Sequence, residues 1–481
     1  MRFHVNNLRL WLIVATLLPA VALLPACKSA APPPTTEAVI EEALPETTEV
    51  PAEFRAAEDV DTGEVDDGWI EDFGDPELVA FVDEALKNNL NLRIAANQID
   101  AAAAAAVIAG ARLKPTVDLG LGASESGVGT SGSGETQIGL SASWEIDVWG
   151  KLASGAAAAE ASLAAAQANY EFGRQSLAAQ TAKGWFMAVQ TSMLLNLGRE
   201  TVDLFRQTLD LVNTKHEIGQ VTMKDVHLAK ADLASSEEAV RQAEGANQQA
   251  KRSLELLLGR YPGAEIEARK DLPQLPPPIP VGLPSDLLER RPDLIVAKAI
   301  VAAAFYLTEQ AEAAKLPSFA INAGLGASTD VSDLIFNLGA GMFAPLFRGG
   351  ALKAQVDAAD AQQRAAVSAY GMAVLKAFEE VEAGLTNGKL ESEREAFLLE
   401  VLDENEQAWE LAKAQFEVGK IDLLSVLQMQ ARVVGARIAV VNIRSGRLIT
   451  RVNFHLALGG SFEDVDSNLP ASAEDSQEEQ R

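Results

Sequence analysis

The chain carries an internal repeat with a period of about 200 residues, and this feature constrains its architecture more than any single motif does. Because the repeat indicates a duplicated structural unit, the two halves of the chain are expected to have the same fold. The matching segments are 216–220 with 416–420, 258–259 with 458–459, and, at an offset of 202, 92–115 with 294–317.

Proline placement predicts two very long helices. The sequence has no proline between Pro115 and Pro262, or between Pro345 and Pro470, and proline breaks helix interiors. Residues 151–216 and 351–416 contain no strong breaker, so each predicts a helix about 100 Å long.

A glycine follows each predicted long helix. Gly219 and Gly419 are typical of a helix C-cap or a tight turn, and second helices are predicted at 221–258 and 421–458. Each half therefore contains a long helical hairpin that needs lateral partners, as helices do in a coiled coil.

Strictly alternating segments precede both hairpins. Val117, Leu119 and Leu121 alternate with polar or small residues, and the same pattern recurs in 137–148, 319–328 and 334–343. Period two predicts β-strands with one apolar and one polar face. Such hairpins could cover a soluble core, or they could cross a membrane, which takes about 9–11 residues per strand. Trp144 and Trp149 lie toward a strand end, where interfacial aromatics are found.

The N-terminus predicts a lipoprotein signal peptide over residues 1–26. Arg2 and Arg9 precede an apolar run, and residues 24–27 resemble a bacterial lipobox, which makes Cys27 the expected lipidation site. A secretory signal with a chance cysteine is the alternative. Lys28 stands where lipoprotein sorting rules place an aspartate for inner-membrane retention, so the resemblance indicates the outer membrane.

Acidic residues concentrate near the two ends of the chain. Residues 28–75 hold 15 acidic and 2 basic side chains, and 461–481 hold 7 and 1, within a total net charge of -28. These patterns predict a flexible tether at 27–70, with too little apolar content to pack, and a disordered tail at 461–481. The sequence does not predict a basic surface of the kind that binds nucleic acid, so nothing in it indicates nucleic-acid binding. A single cysteine excludes an internal disulfide.

Four strands are too few to close a barrel, and an open sheet edge is not tolerated in hydrocarbon. Two copies would give eight strands with a largely filled lumen, and three would give twelve with a wide pore. The many glycines and serines on the polar face favour three copies, and the outer-membrane address favours a transmembrane barrel.

Three motifs carry a family resemblance. Residues 283–294 (LPSDLLERRPDL) are similar to the hallmark of TolC-type outer-membrane efflux lipoproteins of the OprM/NodT branch. Residues 143–151 (SWEIDVWGK) and 345–350 (PLFRGG) resemble further motifs of that branch. The resemblance extends over about residues 69–460.

This resemblance implies a membrane α+β protein and a homotrimer. Its twelve-stranded outer-membrane β-barrel would continue into a long periplasmic α-helical barrel and act as a passive exit duct. The expected partners are a periplasmic adaptor (membrane fusion) protein, an inner-membrane pump of RND or ABC type and outer-membrane lipid. The repeats would occupy 71–260 (β-hairpin 113–149, helical hairpin 151–259) and 283–460 (317–345 and 348–459), joined by the Pro-rich connector 261–282.

The hallmark motif is expected to be structural rather than catalytic. Ser285 or Asp286 is predicted to cap a short helix, with the next helix starting at Pro292 and Asp293. Arg290 and Arg291 are expected to make packing or subunit contacts. The signature residues are Leu283, Pro284, Ser285, Asp286, Arg290, Arg291, Pro292 and Asp293.

The hairpin tips are where a closed duct would open, since charged contacts there can be rearranged. Solvated helix ends are the alternative explanation. Ser425 and Gln428 stand where the family often has aspartates. The candidate gate residues are Lys224, Asp225, Lys420 and Asp422, and the candidate adaptor-docking positions are Ile218, Gly219, Val418 and Gly419.

Two other kinds of protein remain possible from the sequence. One is a structural coiled-coil lipoprotein of the outer membrane without a pore, and the other is an adaptor protein. If the protein were an adaptor, the four predicted amphipathic strands would have no explanation. The sequence lacks the motifs of a Ser-His-Asp catalytic triad, a Gly-rich phosphate-binding loop and an HExxH metalloprotease. No enzymatic activity, cofactor or metal site is therefore expected.

Overall fold

The computed structural model describes residues 29–462 apart from 46, 49, 58–62, 64, 66, 129–130 and 329–330, and it describes only the backbone of 124–128, 131–135, 328 and 331–334. The predicted signal peptide, Cys27 and tail residues 463–481 lie outside the described residues. The chain divides into two compact units. Among the described residues, the first comprises 29–47, 97–168 and 296–372, and the second 48–96, 169–295 and 373–462.

The element order repeats, as the sequence duplication predicts. Helix α1 (Thr36–Ala43) and the 3-10 turns Arg55–Ala57 and Glu71–Phe73 come first. Next follow α2 (Pro76–Asn88), α3 (Leu90–Ala111), β1 (Thr116–Val128), β2 (Ser131–Ile146), α4 (Lys151–Glu217) and α5 (Met223–Leu257). The second series is α6 (Pro284–Arg290), α7 (Pro292–Ala313), β3 (Ser318–Ser328), β4 (Val331–Phe343), α8 (Ala351–Glu417) and α9 (Leu423–Ala457).

The two long helices confirm the prediction from proline spacing. Helices α4 and α8 each contain 67 residues. Two residues after each helix ends, the chain turns at a glycine with a left-handed backbone, Gly219 at φ +77° and Gly419 at φ +76°. The next helices begin at Met223 and Leu423, two residues later than predicted, because the residue before each of them is an N-cap.

The strands form one antiparallel sheet in the first unit, in the order β1-β2-β3-β4. The central pair β2–β3 joins the two repeats through ladder partners such as Leu140 and Leu325. Strands β1 and β4 are the two edges, and no other described strand pairs with their outer sides.

The core of the second unit is built around α2 and the middle of α4. Its fully buried side chains include Leu78, Trp185 and Leu254. The N-cap of α2 is Asp75, whose Oδ1 accepts a hydrogen bond from Glu77 N at 3.1 Å. The Oδ2 atom of the same carboxylate accepts from Trp185 Nε1 at 2.9 Å.

The prediction that the acidic segment 27–70 packs against nothing is wrong for its described part. Phe54 and Val65 are buried in a cluster with Leu287 and Leu458. Glu382 accepts hydrogen bonds from the backbone N–H groups of two residues of the segment, at 2.7 and 2.9 Å. Composition averages hide this, because a few well-separated apolar side chains suffice to hold a segment against a surface.

Helix α1 of this segment and the first residues of the predicted tail also contact the rest of the chain. Ala43 at the end of α1 lies so close to α8 that a Cβ at Gly371 would lie 2.7 Å from its carbonyl oxygen. Ser461, the first residue of the predicted tail, donates its N–H to Asp67 at 2.7 Å. Phe462 is buried.

Candidate functional site

The sheet separates apolar and polar residues between its two faces. Residues paired across antiparallel strands lie on the same face. One such row is Leu119, Leu140, Leu325 and Phe336. The neighbouring row, on the opposite face, is Asp118, Ser141, Gly324 and Asn337.

The apolar face is exposed rather than packed on a core. Leu119 is 70%, Leu121 77% and Phe336 67% exposed. A contiguous apolar face of this kind marks an interaction surface, since soluble monomers rarely leave one open. The sheet therefore does not cover a soluble core within this chain.

Aromatic side chains lie near the helix-proximal end of β2. Trp144 donates its indole N–H to Leu113 O at 3.0 Å, and Trp149 donates to Pro317 O at 2.7 Å. An apolar ring with a satisfied polar end is typical of a membrane–water interface.

Three described helices, α3, α7 and α9, are long and apolar enough to cross a membrane by length and composition. Helices α3 and α7 owe this to alanine-rich sequences, and α9 has buried residues along much of its length.

The hairpin tips in the second unit are tight turns of closely similar geometry. Gly219 N donates to His216 O at 2.9 Å, and Gly419 N donates to Phe416 O at 3.0 Å. The preceding residues, Ile218 and Val418, are 64% and 69% exposed. The four positions predicted for adaptor docking therefore form two exposed apolar turns.

Each tip also has one carboxylate that caps the second helix of its hairpin. In the first tip, Asp225 Oδ2 accepts from Thr222 N at 2.8 Å and Thr222 Oγ1 at 2.7 Å. In the second tip, Asp422 Oδ1 accepts from Ser425 N at 2.9 Å and Ser425 Oγ at 2.5 Å. The predicted gate aspartates are thus both engaged in local caps.

The charges of the two tips influence each other. The Thr222 hydroxyl and N–H lower the pKa of Asp225, and the nearby charge of Lys224 adds to this. Hydrogen bonds from Ser425 lower the pKa of Asp422, and Lys224 contributes there as well. The charge of Lys224 thus acts on carboxylates of both hairpins. The side chains of Lys224 and Lys420 are both exposed.

A lysine that sequence reasoning missed joins the tips directly. Lys215, in the last turn of α4, donates from Nζ to Phe416 O at 2.9 Å and to Glu417 O at 3.3 Å. It is buried, with only 8% of its surface exposed. The sequence has no signal for this contact, because its partners lie about 200 residues further along the chain.

The hallmark motif forms helix α6, but its cap differs from the prediction. Leu283 is the N-cap position and Pro284 the first helical residue, so neither Ser285 nor Asp286 is the N-cap. Asp286 instead accepts a hydrogen bond from Leu283 N at 3.1 Å, which gives half of a capping box. Pro292 begins α7, as predicted.

Arg290 ties the motif to the N-terminal segment. Its Nη1 donates to Val65 O at 3.0 Å, and its Nη2 pairs with Asp67 at 3.0 Å. Asp67 also accepts a hydrogen bond from the N–H of Ser461, so the N-terminal segment and the C-terminal end of the described chain meet at this arginine.

Arg291 is buried and fully engaged. It pairs with Asp293 and Glu380, both at 2.8 Å, and donates to Ala457 O at 3.0 Å. Burial alone would lower the pKa of Arg291, but the hydrogen bonds that it donates to Asp293 and Glu380 outweigh this effect and leave the pKa raised. Both arginines therefore make packing contacts within the chain.

Asn89 occupies the position in the first repeat that Arg291 occupies in the second, and its side chain likewise donates to a carbonyl at the end of a helical hairpin. Its Nδ2 donates to Leu257 O at 2.9 Å, and its Oδ1 caps α3 by accepting from Asn91 N at 2.9 Å. Leu257 and Ala457 are equivalent positions at the ends of α5 and α9. The hallmark motif is thus the second copy of a junction between a hairpin end and the next helix.

Comparison with known proteins places the chain in a family. The sequence model of the family described as "Outer membrane efflux protein" matches residues 81–260 and 283–460. The pyoverdine export outer membrane protein OpmQ of Pseudomonas aeruginosa is 31% identical over 414 residues, which cover 82% of this chain and 87% of that protein.

Two further proteins are similar to this chain, one in sequence and one in fold. The probable outer membrane lipoprotein SilC of Salmonella typhimurium is 25% identical over 409 residues, which cover 82% of this chain and 88% of that protein. The solved structure of the outer-membrane channel OprN superposes with a TM-score of 0.80 at 23% identity, and covers 87% of this chain and 98% of that one. This chain belongs to the outer membrane efflux protein family.

Proposed function

We propose that this protein is a passive exit duct through the outer membrane, fed by an inner-membrane pump through a periplasmic adaptor. The observation that carries the proposal is the four-stranded sheet, which exposes a row of large apolar side chains on one face and presents small polar residues on the other. The strands, rather than the apolar helices, cross the membrane, because alternation gives lipid and water one face each.

The open sheet edges support a homotrimer. Unpaired edge groups of β1 and β4 cannot remain in hydrocarbon, so β4 of one copy pairs with β1 of the next. Three copies give twelve strands around a water-filled lumen. The two structural repeats, 71–260 and 283–460, each supply one strand pair and one helical hairpin.

The helices of the second unit support the same assembly. Within the chain, α4 of the first repeat contacts α9 of the second, where Gln190 Nε2 donates to Asn442 Oδ1 at 2.7 Å. Leu390, the position on α8 that matches Gln190, is 50% exposed, and Phe397, two turns further along α8, is 67% exposed. The same contact made by α8 requires α5 of another copy, and such head-to-tail contacts close into a ring.

The exposed turns at Ile218–Gly219 and Val418–Gly419 are the surfaces that we assign to the adaptor. Lys224, Asp225, Lys420 and Asp422 remain our candidates for the gate, because they lie between each turn and the end of the first turn of the helix that follows it. The pump is of RND or ABC type. Lipidation at Cys27 anchors the N-terminus to outer-membrane lipid, in keeping with the lipoprotein name of the relative SilC.

Native mass spectrometry in mild detergent tests the assembly, with a complex of three chains as the expected result. A disulfide between Leu390→Cys of one copy and Gln242→Cys of another should form, because these positions match the Gln190–Asn442 contact. A monomer that stays soluble without detergent would contradict the proposal and favour a structural coiled-coil lipoprotein without a pore.

A further inference from the structure

The two repeats differ beside the middle of their long helices, where the first has a packed core and the second has a cavity. In the first repeat, Trp185 of α4 is fully buried, and its ring lies 5.0 Å from that of Phe81 in α2. The Trp185 indole N–H also donates to Asp75, the N-cap of α2, at 2.9 Å. Helix α2 therefore covers this part of α4.

The second repeat lacks the first part of that covering helix. Helix α2 has 13 residues, whereas its counterpart α6 has seven and begins only at Pro284. At the repeat offset of 202, residues 76–81 of α2 correspond to 278–283, most of which belong to the Pro-rich connector. Pro278 and Pro280 prevent a helix there, so an extended strand of chain takes the place of a helix.

Smaller side chains on α8 leave the uncovered space open. Leu385 stands at the position of Trp185, and Gly388 stands at the position of Ala188. A Cβ atom added at Gly388 would find open space within 4 Å. The result is a cavity of about 260 Å³ between the connector, α8 and α9, with an apolar wall formed by Leu275, Ile279, Leu385 and Phe454.

The charged part of the cavity lining is mainly basic. Lys389, Arg447 and Arg451 line the cavity, against one acidic side chain, Glu391. In the first repeat, Asn247 stands at the position of Arg447, so this basic character belongs to the second repeat. A local excess of basic side chains stands out in a chain whose net charge is -28.

The two guanidinium groups of the lining have N–H donors to spare. Among the described residues, Arg447 donates to Glu395, and Arg451 donates to the carbonyl oxygen of Pro277 in the connector. A guanidinium group has five N–H donors, so most of them are left for another acceptor. Burial and the charge of Arg447 lower the pKa of Arg451, and the charge of Asp72 offsets this only in part.

We propose that this cavity binds a small carboxylate carried on an apolar body. The carboxylate contacts Arg447 and Arg451, because guanidinium groups bind carboxylates through paired N–H donors. The apolar body lies against the wall between the connector and Phe454, since ligand sites combine apolar walls with a few convergent polar groups. The site uses neither the sheet nor the hairpin tips, so the inference goes beyond the proposed exit duct and does not depend on it.

Three probes of nearly the same shape test the charge preference of the site. Benzoate, benzamide and benzamidine carry a carboxylate, an amide and an amidinium group on the same ring. Saturation-transfer NMR on the full-length protein in mild detergent measures their dissociation constants. We expect benzoate to bind about tenfold or more tightly than benzamide, since hydrogen bonds between charged groups are strong. Benzamidine should bind more weakly than benzamide.

Variants of the lining then locate the bound probe. Arg451→Gln should weaken benzoate binding about tenfold and leave benzamide binding nearly unchanged. Glu391→Gln removes a like charge and should strengthen benzoate binding, an opposite effect that a general loss of structure would not give. Gly388→Leu fills open space and should weaken both probes. Arg432→Gln, at an exposed arginine of α9 outside the lining, is the matched control and should change neither.

Three results would overturn the inference. Equal affinities of the parent protein for the three probes would mean that charge does not direct binding, and undetectable binding of benzoate would mean that no such site exists. Neither result depends on a variant that folds. The third is a folded Arg451→Gln protein that binds benzoate as tightly as the parent. Ion conductance in planar bilayers, measured separately on the parent protein, tests the duct and distinguishes its failure from failure of this site.

Discussion

Asp225 accepts hydrogen bonds from both the backbone N–H and the hydroxyl of Thr222, at 2.8 and 2.7 Å. In the second tip the roles are exchanged, since Asp422 is the N-cap and Ser425 supplies the N–H and hydroxyl. Both repeats thus retain one carboxylate and one hydroxyl at the start of the second helix. The apparent loss of an aspartate at Ser425 is a shift of the carboxylate by three positions.

The exchanged caps should be interchangeable. Thr222→Ala removes one hydroxyl and should lower the free energy of unfolding by about 1 kcal/mol, the usual cost of losing a cap. The double change Thr222→Asp with Asp225→Ser copies the second tip and should recover most of that loss. Chemical denaturation followed by the helical circular dichroism signal measures both. An equal loss in the double variant would contradict the capping account.

His455 should make the folded state sensitive to acid. Burial, with a smaller effect from the Arg451 charge, lowers its pKa to about 3, and its ring stacks on Trp69 with centroids 5.2 Å apart. Below pH ~6.5 the unfolded chain binds a proton that the folded chain does not, so stability falls by up to about 1.4 kcal/mol per pH unit until the folded pKa is reached.

Unfolding measurements between pH 7 and pH 4 test the role of His455. The variant His455→Phe keeps an aromatic ring in the stack and should flatten the decline in stability over this range. His216→Gln changes a half-buried histidine at the tip and serves as the matched control. The same decline in His455→Phe as in the parent protein would show that another group is responsible.

Arg291 should matter more for stability than Arg290. Arg291→Met removes a buried guanidinium from two carboxylates and the Ala457 carbonyl, and should cost about 3 kcal/mol. Arg290→Met breaks a more exposed pair and should cost about 1 kcal/mol. Thermal unfolding in detergent ranks the two variants. The reverse order would mean that the anchoring of the N-terminal segment dominates at this junction.

A charge on the apolar face of the sheet should oppose membrane insertion. Leu140 lies near the middle of β2, and Leu140→Arg should cost about 2–4 kcal/mol if that position meets the centre of the bilayer. Ser141→Arg places the same charge on the polar face and should cost far less. The fraction of chain that folds into lipid vesicles measures the difference, and equal losses would argue against a lipid-facing row.

Sequence patterns predicted the periodic parts of this fold well. Proline-free spans gave the extents of α4 and α8 to within a residue, and strict alternation identified all four strands, because both signals are local. The contacts that join distant segments were not predictable in this way. Lys215 reaching Phe416, Arg290 reaching Asp67 and Phe54 packing near Leu458 all depend on which segments lie side by side.

Helix N-caps are an intermediate case, because the local sequence predicts them only in part. The turn glycines indicated the starts of α5 and α9, and the residue types of the hallmark motif indicated the start of α6, but neither signal identified the N-cap residue. Leu283 occupies the N-cap of α6 because Pro284 suits the first helical position and Asp286 reaches back from the third. Competing local geometries of similar energy decide such details.

A nitroxide scan along residues 138–143 of β2, in protein reconstituted into lipid vesicles, determines whether the sheet crosses the membrane. If it does, residues 138, 140 and 142 are accessible to oxygen dissolved in the lipid, whereas 139, 141 and 143 are accessible to a water-soluble nickel complex. The absence of alternation, with both sets equally accessible to the nickel complex, would contradict a membrane-spanning barrel.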